Sequence, residues 1–226
     1  GNCSADVVSS TVPCSHKWMT GTVNSFFIGL TATFIATTLG TIAALGLSRP
    51  HMPYKGLIMA ILISPMIVPL IITAAGMFFF YARINLVYTF TGVILAHVAL
   101  ATPFVVITVT ATLVGFDMNM VKASQSLGAR PVRTFFKVIM PLILPGIISG
   151  ALFAFITSFD EVVIVMFMAS LDQLTIPKQM WAGIRQEISP VILCMATCLV
   201  ALSIFLLTTV ELLRRRSERL RGIKSR

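Results

Sequence analysis

The sequence alternates between long apolar runs and short polar segments. Five of the runs are long enough to cross a bilayer, since about 20 apolar residues in a helix span its hydrocarbon core. They cover residues 23–48, 56–80, 87–115, 140–168 and 190–213. The pattern predicts an all-α polytopic membrane protein with five transmembrane helices.

Proline lies well inside two of these runs and near the start of two others. Pro65 and Pro69 interrupt the second run, and Pro103 lies in the third. Proline removes a backbone N–H and bends a helix, which lipid tolerates only where neighbouring helices or a water-lined cavity satisfy the freed carbonyls. We therefore expect the second and third helices to be bent and to border other helices or a cavity.

The longest polar interruption separates the third run from the fourth. Within it, residues 117–139 begin with small side chains, pass through Leu127 and Gly128, and continue into an amphipathic run that includes Phe135 and Phe136. Such a segment should lie flat at the membrane surface and offer one face to a soluble partner. We expect the two phenylalanines to anchor it to the bundle.

Composition supports the membrane class and narrows the partners. Hydrophobic residues make up 57% of the chain and charged residues 11%, against about 25% charged in soluble domains. The net charge of +9 would raise nucleic acid as a partner of a soluble protein. Here the basic residues cluster between and after the apolar runs, as in cytoplasmic membrane loops, so we expect the lipid bilayer and no nucleic acid.

The four cysteines do not form a disulfide framework. Cys194 and Cys198 lie one turn apart in an apolar run, which favours a packing role. Cys3 and Cys14 precede the first run and could pair if that end is extracytoplasmic; the sequence leaves this open.

Lysine and arginine counts orient the five predicted spans. Thirteen of these residues fall on one side of the membrane and four on the other. The positive-inside rule places the richer side in the cytoplasm. Residues 117–139 and the basic tail 214–226 are then cytoplasmic, residues 1–22 are extracytoplasmic, and residues 23–213 form the membrane domain. The chain starts at Gly1 without a signal segment, which indicates that a further helix was lost by truncation or processing.

The polar loop carries a spaced motif. Residues 122–141 read K-A-S-x-x-x-G-x9-V-x-M-P, which resembles the cytoplasmic signature E-A-A-x-x-x-G-x9-I-x-L-P of ABC importer permeases. The positions of this loop that correspond to the signature, together with the alanine that follows the glycine, are Lys122, Ala123, Ser124, Gly128, Ala129 and Pro141. Lys122 departs from the usual glutamate. The resemblance implies a type I importer core, with a coupling helix between the third and fourth spans that docks on a separate ATPase.

Two further stretches resemble the spermidine/putrescine permeases of that family. They are Ala96-His97 followed by Pro103-Phe104-Val105-Val106, and Ser158-Phe159-Asp160-Glu161-Val162-Val163. The resemblance implies a bacterial inner-membrane subunit that imports a polyamine by alternating access. Its implied partners are a second homologous permease, a dimer of ATP-binding cassette subunits and a periplasmic binding protein. Related solutes, namely opines, amino-acid-like compounds and ferric iron, stay open, as does a proton-coupled secondary transporter.

Three polar residues within the runs are candidates for the substrate pathway: His97, Asp160 and Glu161. A carboxylate at mid-membrane costs about 2.5–3.5 kcal/mol on insertion scales, so an adjacent pair needs a reason. On a helical wheel Glu161 continues a stripe of small residues that begins at Gly146 and should face other helices. Either the two acids line the path of a cationic solute, or they pair with a helix N-terminus or a basic side chain. For His97 a structural hydrogen bond is the alternative to a role in transport.

No pattern in the sequence indicates an enzyme. There is no glycine-rich phosphate-binding loop with a following Lys-Ser/Thr and no metal-ligand cluster. We expect no catalytic, cofactor or metal site, and we expect ATP to be hydrolysed by another chain. Trp181, Arg185 and Glu187 lie on the outer side and are candidates for contact with the binding protein.

Overall fold

The computed structural model describes residues 14–49, 52–114, 119–186 and 190–220. Within these ranges the chain is helical and contains no β-strand. The described helices are α1 (Cys14–Leu47), α2 (Lys55–Ile67), α3 (Leu70–Arg83), α4 (Phe90–Val114), α5 (Asn119–Ser126), α6 (Pro131–Thr134), α7 (Met140–Phe159), α8 (Val163–Met168), α9 (Ile176–Gln186) and α10 (Pro190–Leu220). A π-helical turn (Phe135–Ile139) joins α6 to α7, and a 3-10 turn (Leu171–Gln173) follows α8.

The described helices confirm the predicted all-α membrane fold. Four apolar segments are long enough to span a bilayer, and the bent pair α2 and α3 makes a fifth if it is taken as one broken span. The four are Trp18–Leu47, Phe90–Val114, Pro131–Phe159 and Ile192–Thr209. They lie within or overlap the predicted runs.

The core lies where α4 packs between α1 and α7. Helix α4 is apolar on most of its surface, and its buried residues extend from Gly92 to Val109, while Leu95 and Ile107 are exposed. Small residues bring the backbones together: a Cβ added at Gly40 would lie 2.7 Å from the Cβ of Val105, and one at Gly150 would lie 2.5 Å from Oγ1 of Thr108. Close contact at small residues drives helix association in lipid, where burial of apolar surface gives no advantage. The predicted inward direction of Gly146 and Gly150 is confirmed.

The second apolar run is not one helix. Helices α2 and α3 meet at an angle of 104°. Val68, just before Pro69, is extended (φ −71°, ψ 136°), because the ring of a proline disfavours the helical conformation of the preceding residue. Pro65 lies inside α2 without ending it. Pro69 therefore makes the bend, and α2 has no buried residue in the isolated chain.

The fourth apolar run also differs from the prediction. A continuous helix over residues 140–168 was expected, but α7 ends at Phe159 and α8 begins at Val163. The helical-wheel argument for Glu161 was therefore wrong, since Glu161 lies in the break between two helices.

The outer helix ends extend beyond the predicted spans. Helix α1 already begins at Cys14 and α10 continues to Leu220, so the predicted boundaries at residues 22 and 213 fall inside helices. Backbone hydrogen bonding does not stop at the edge of the hydrocarbon. Cys194 and Cys198 are exposed on α10, so this chain alone does not pack them. Cys3 lies outside the described residues.

Candidate functional site

The loop that contains the signature motif forms a short helix with little cover. Helix α5 carries Lys122, Ala123 and Ser124 and has no buried residue. Its residues are polar on average, so the hydrophobic effect does not favour burial of this helix in the bundle. An exposed helix of this kind is available to a partner on its outer face. Asp117 and Met118, at the start of the predicted loop, lie outside the described residues.

Gly128 ends α5. Its φ is +78°, in the left-handed region that only glycine enters freely. The turn is closed by backbone bonds: the N–H of Gly128 donates to Gln125 O (2.9 Å), and that of Ala129 donates to Ser124 O (3.2 Å). A Cβ at Gly128 would meet nothing within 4 Å, so backbone conformation rather than space requires the glycine here.

A hydroxyl pair ties α5 to the span that follows. The oxygens of Ser124 Oγ and Thr134 Oγ1 lie 3.0 Å apart, and Thr134 is buried. After the Gly128 turn, Pro131 occupies the first turn of α6, where its missing N–H costs nothing. The Ser124–Thr134 pair thus fixes the position of α5 relative to the base of the span.

The π-helical turn at Phe135–Ile139 has a cause in the sequence. Pro141 has no N–H to offer to the carbonyl of Lys137, four residues earlier, and its ring crowds that carbonyl. The amide of Met140 instead bonds back to Phe135 O, one residue further than in an α-helix. The helix stays continuous across the turn, and Pro131–Phe159 forms one span. Pro141 therefore shapes the base of this span and does not belong to α5.

The expected phenylalanine anchor stays a prediction. The rings of Phe135 and Phe136 pack edge to face on each other at 5.1 Å, and 62% of Phe136 is exposed in the isolated chain. Both residues lie on the span after the Gly128 turn. The hydroxyl pair of Ser124 and Thr134 is a side-chain contact that the structure shows between α5 and this span.

Asp160 and Glu161 occupy the break between α7 and α8 and have different surroundings. Glu161 is buried, and its Oε1 accepts a hydrogen bond from the backbone N–H of Ile164 at 2.9 Å. Its carboxylate therefore caps the N-terminus of α8, where unpaired N–H groups favour negative charge. Asp160 terminates α7 and is exposed. Of the two interpretations left open by the sequence, pairing with a helix N-terminus describes Glu161 as it lies in this chain.

His97 lies in the core and joins α4 to α7. Its Nδ1 is 2.7 Å from Oγ of Ser158, and the imidazole is buried. Its Nε2 has no hydrogen-bond partner among the residues that the structure describes. The structure thus brings His97 to Ser158, just before the break, and gives it no hydrogen bond to Asp160 or Glu161.

The segment after α8 is held by side chains that the sequence analysis did not single out. Asn24 donates from Nδ2 to the carbonyls of Asp172 (2.8 Å) and Leu174 (3.1 Å). Ser25 Oγ accepts from the N–H of Ile176 (2.9 Å). Buried backbone groups outside a helix need hydrogen-bond partners, and Asn24 and Ser25 of α1 supply them here. In the sequence, the polar pair Asn24-Ser25 at the start of an apolar run was the feature that could have indicated these contacts.

Two more side chains, Gln173 and Lys178, bond to backbone carbonyls near the same segment. Gln173 donates from Nε2 to Tyr88 O (2.8 Å), and the amide of Tyr88 donates to Met168 O (2.9 Å). Tyr88 has φ +64°, a conformation that non-glycine residues adopt rarely and that these bonds hold in place. Lys178 donates from Nζ to the carbonyls of Val165 and Ala169, both at 3.1 Å, at the end of α8. The spacing Ser170-x-x-Gln173 was a readable capping box.

Of the residues expected to contact a binding protein, Trp181 and Arg185 lie on α9. Trp181 is 44% exposed, and the Arg185 guanidinium lies 5.3 Å above its ring. Glu187 is outside the described residues. In the described ranges, no group of three or more His, Cys, Asp or Glu side chains could hold a metal ion. The arrangement consists of an exposed helix, a turn closed by backbone bonds and a continuous span that ends at two carboxylates. Because these parts are joined, a movement of the exposed helix can be transmitted to the carboxylates.

The chain is similar to known membrane transport components. The family model for the binding-protein-dependent transport system inner membrane component matches residues 19–219. The spermidine/putrescine transport system permease protein PotC of Haemophilus influenzae is 29% identical over 195 residues, which are 86% of this chain and 76% of that protein. The putrescine transport system permease protein PotI of Escherichia coli is 30% identical over 181 residues, 76% of this chain and 64% of that protein.

Solved structures show the same fold at lower identity. An amino acid ABC transporter with histidines superposes with a TM-score of 0.65 at 17% identity, over 89% of this chain and 94% of that chain. The MetNI methionine ABC transporter in an inward-facing conformation gives 0.64 at 18% identity, over 96% and 100%.

Proposed function

The chain belongs to the family of binding-protein-dependent transport system inner membrane components and is a permease subunit of an ABC importer; we propose that it imports a polyamine such as putrescine or spermidine. The relatives named for these solutes support the substrate class. A polyamine is a flexible polycation, and Asp160 offers it an exposed carboxylate at the end of a span. Asp160 is therefore the residue that we assign to the solute pathway, with Glu161 and His97 holding the helices around it.

The exposed helix α5 is the observation that carries the importer mechanism. It has no buried residue, it ends at the left-handed Gly128, and Ser124 ties it to the base of a span. A dimer of ATP-binding cassette subunits docks on this helix and hydrolyses the ATP, since this chain has no phosphate-binding loop. Lys122, Ala123 and Ser124 form the docking helix, and Gly128 and Ala129 form the turn.

Motion of α5 reaches the solute pathway through one element. The span Pro131–Phe159 runs from the Gly128 turn to Asp160 without interruption. When the ATPase subunits close, they move α5, and the span reorients the helices that pack on it. The site then opens to one side of the membrane at a time. A second homologous permease completes the pathway, and a periplasmic binding protein delivers the solute.

The orientation follows from charge. Lys122, Arg130 and Arg133 lie on or beside α5, and further basic residues end the chain. We place these segments in the cytoplasm and α9 in the periplasm of a bacterial inner membrane. A cysteine at Lys122 should react with a membrane-impermeant thiol reagent only in inverted vesicles, and a cysteine at Arg185 only in right-side-out cells. The opposite pattern would refute this topology.

The solute is tested with a ligand panel on the cognate binding protein. Putrescine and spermidine should bind in the nanomolar to micromolar range, and an opine, an amino acid or ferric iron should not compete. Preferential binding of one of those competitors would reject the polyamine while leaving the importer mechanism intact. The proton-coupled alternative requires a connected relay, but His97 bonds to Ser158 and Glu161 to the amide of Ile164.

A further inference from the structure

A cavity of about 500 Å³ lies between the start of α1, the segment after α8 and one face of α9. Its walls include the side chains of Trp18, Leu171, Leu174 and Ala182, and Lys178 also lines it. We call this space the interface cavity. No part of the transport mechanism described above uses it.

The interface cavity is charged as well as apolar. Lys178 is its one lining residue with a charged side chain, as far as the described chain shows. The ammonium donates to the carbonyls of Val165 and Ala169, and an ammonium has three N–H donors. Partial burial lowers the pKa of Lys178 from its ordinary value, because the charged form loses hydration there. The ammonium of Lys178 has one N–H donor beyond the two that bond to carbonyls. The cavity therefore favours an anionic ligand and disfavours a polyamine.

The level of the interface cavity points to lipid. Trp18, on its wall, lies five residues before the first apolar run of the sequence, residues 23–48. On the other side, a Cβ at Gly183 would lie 2.6 Å from Cδ1 of Ile192, which is in the first turn of α10, where the fifth apolar run begins. Two apolar runs thus start near the cavity, which places it close to the boundary between hydrocarbon and headgroups, where tryptophan is enriched.

Leu171 supports the same placement. It is 84% exposed at the rim of the interface cavity. Side-chain bonds from Asn24 and Gln173 hold the turn that carries it. An exposed apolar residue beside an apolar cavity is typical of a surface that is covered in the membrane.

We propose that the interface cavity binds one anionic phospholipid, with Lys178 contacting the phosphate and the apolar walls holding the start of an acyl chain. The ligand would fill the space between α1, the segment after α8 and α9. Because Lys178 also closes the end of α8, the lipid is placed to stabilise the segment that follows the two carboxylates. An acidic loop of a protein partner is the competing occupant, but it does not account for the apolar walls at membrane level.

The test measures lipid retention by native mass spectrometry on the intact transporter, exchanged in detergent with phosphatidylglycerol or phosphatidylcholine. Wild-type protein should retain phosphatidylglycerol preferentially. Lys178→Met should lower that preference about fivefold, the effect of one basic residue at a membrane surface. Ala182→Phe, which fills the cavity and leaves Lys178 its backbone bonds, should lower it at least as much even if Lys178→Met folds poorly. Arg185→Met is the matched control, because Arg185 lies over Trp181 on the same helix, and it should retain the lipid.

Three results would overturn the proposal. One is equal phosphatidylglycerol retention in wild type and Ala182→Phe. Another is displacement of the bound species by inorganic phosphate, which would show a small-anion site without a lipid component. The last is protection of a cysteine at Leu171 by the binding protein together with no lipid preference in wild type, which would assign the cavity to a protein partner.

Discussion

At the scale of single residues, Gly128 carries the most specific expectation. Gly128→Leu forces a side chain into the left-handed region, which costs roughly 1–2 kcal/mol. Because the space around Gly128 is open, the bundle should fold and the turn after α5 should change. We expect ATP hydrolysis to lose its stimulation by the loaded binding protein, measured as the ratio of ATPase rates with and without it.

Gly56 provides the control for this substitution. It also lies in open space, but its φ is not positive. Gly56→Leu should leave the stimulation ratio unchanged. Equal ratios for wild type, Gly56→Leu and Gly128→Leu would mean that the left-handed turn has no part in coupling.

The two adjacent carboxylates should respond differently to neutralisation. Asp160→Asn removes an exposed charge and should lower polyamine uptake several-fold while the affinity of the binding protein stays the same. Glu161→Gln keeps an acceptor for the amide of Ile164 but loses the attraction to the helix N-terminus, about 0.3–1 kcal/mol. Its main effect should be a lower melting temperature, with a smaller effect on polyamine uptake. Unchanged uptake by Asp160→Asn would remove Asp160 from the solute pathway.

At the scale of elements, the cover that α1 gives to the segment after α8 can be tested at Asn24. Asn24→Ala leaves the carbonyls of Asp172 and Leu174 without their donor, which costs about 1–3 kcal/mol where the groups are buried. Amide hydrogen exchange over residues 169–176 should become faster. Thr38→Ala, which removes only a bond within α1, is the control and should leave that segment unchanged. Equal exchange in both variants would contradict the role given to Asn24.

The elements also show which features the sequence could predict. The five apolar runs and the turn in the Gly–Pro loop could be predicted from the sequence, because hydropathy and left-handed turns depend on neighbouring residues alone. The break after Phe159 was not, since apolar residues continue on both sides of it and only the capping contact of Glu161 with Ile164 reveals the new helix. The 104° bend at Pro69 was expected as a kink, but its size depends on packing. The contacts of Asn24 and Lys178 join residues far apart in the chain.

At the scale of the whole molecule, the described helices form a core with several uncovered faces. Helix α2 buries no residue, and Cys194 and Cys198 are exposed on α10. A membrane protein exposes part of such a surface to lipid, and we propose that the second permease covers the rest. In the interior, by contrast, the helices pack closely at glycines such as Gly150, which α4 approaches closely. A tightly packed interior suits a bundle that reorients as a body when α5 moves.

The central claim is that a separate ATPase drives this bundle through α5 and that the solute is a polyamine. The most direct measurement is uptake of radiolabelled putrescine into proteoliposomes that contain the permease pair, with loaded binding protein outside and ATP inside. We predict uptake only when the ATPase subunits and ATP are both present, and none with Gly128→Leu. Uptake that proceeds without the ATPase subunits, driven by a proton gradient alone, would contradict the account.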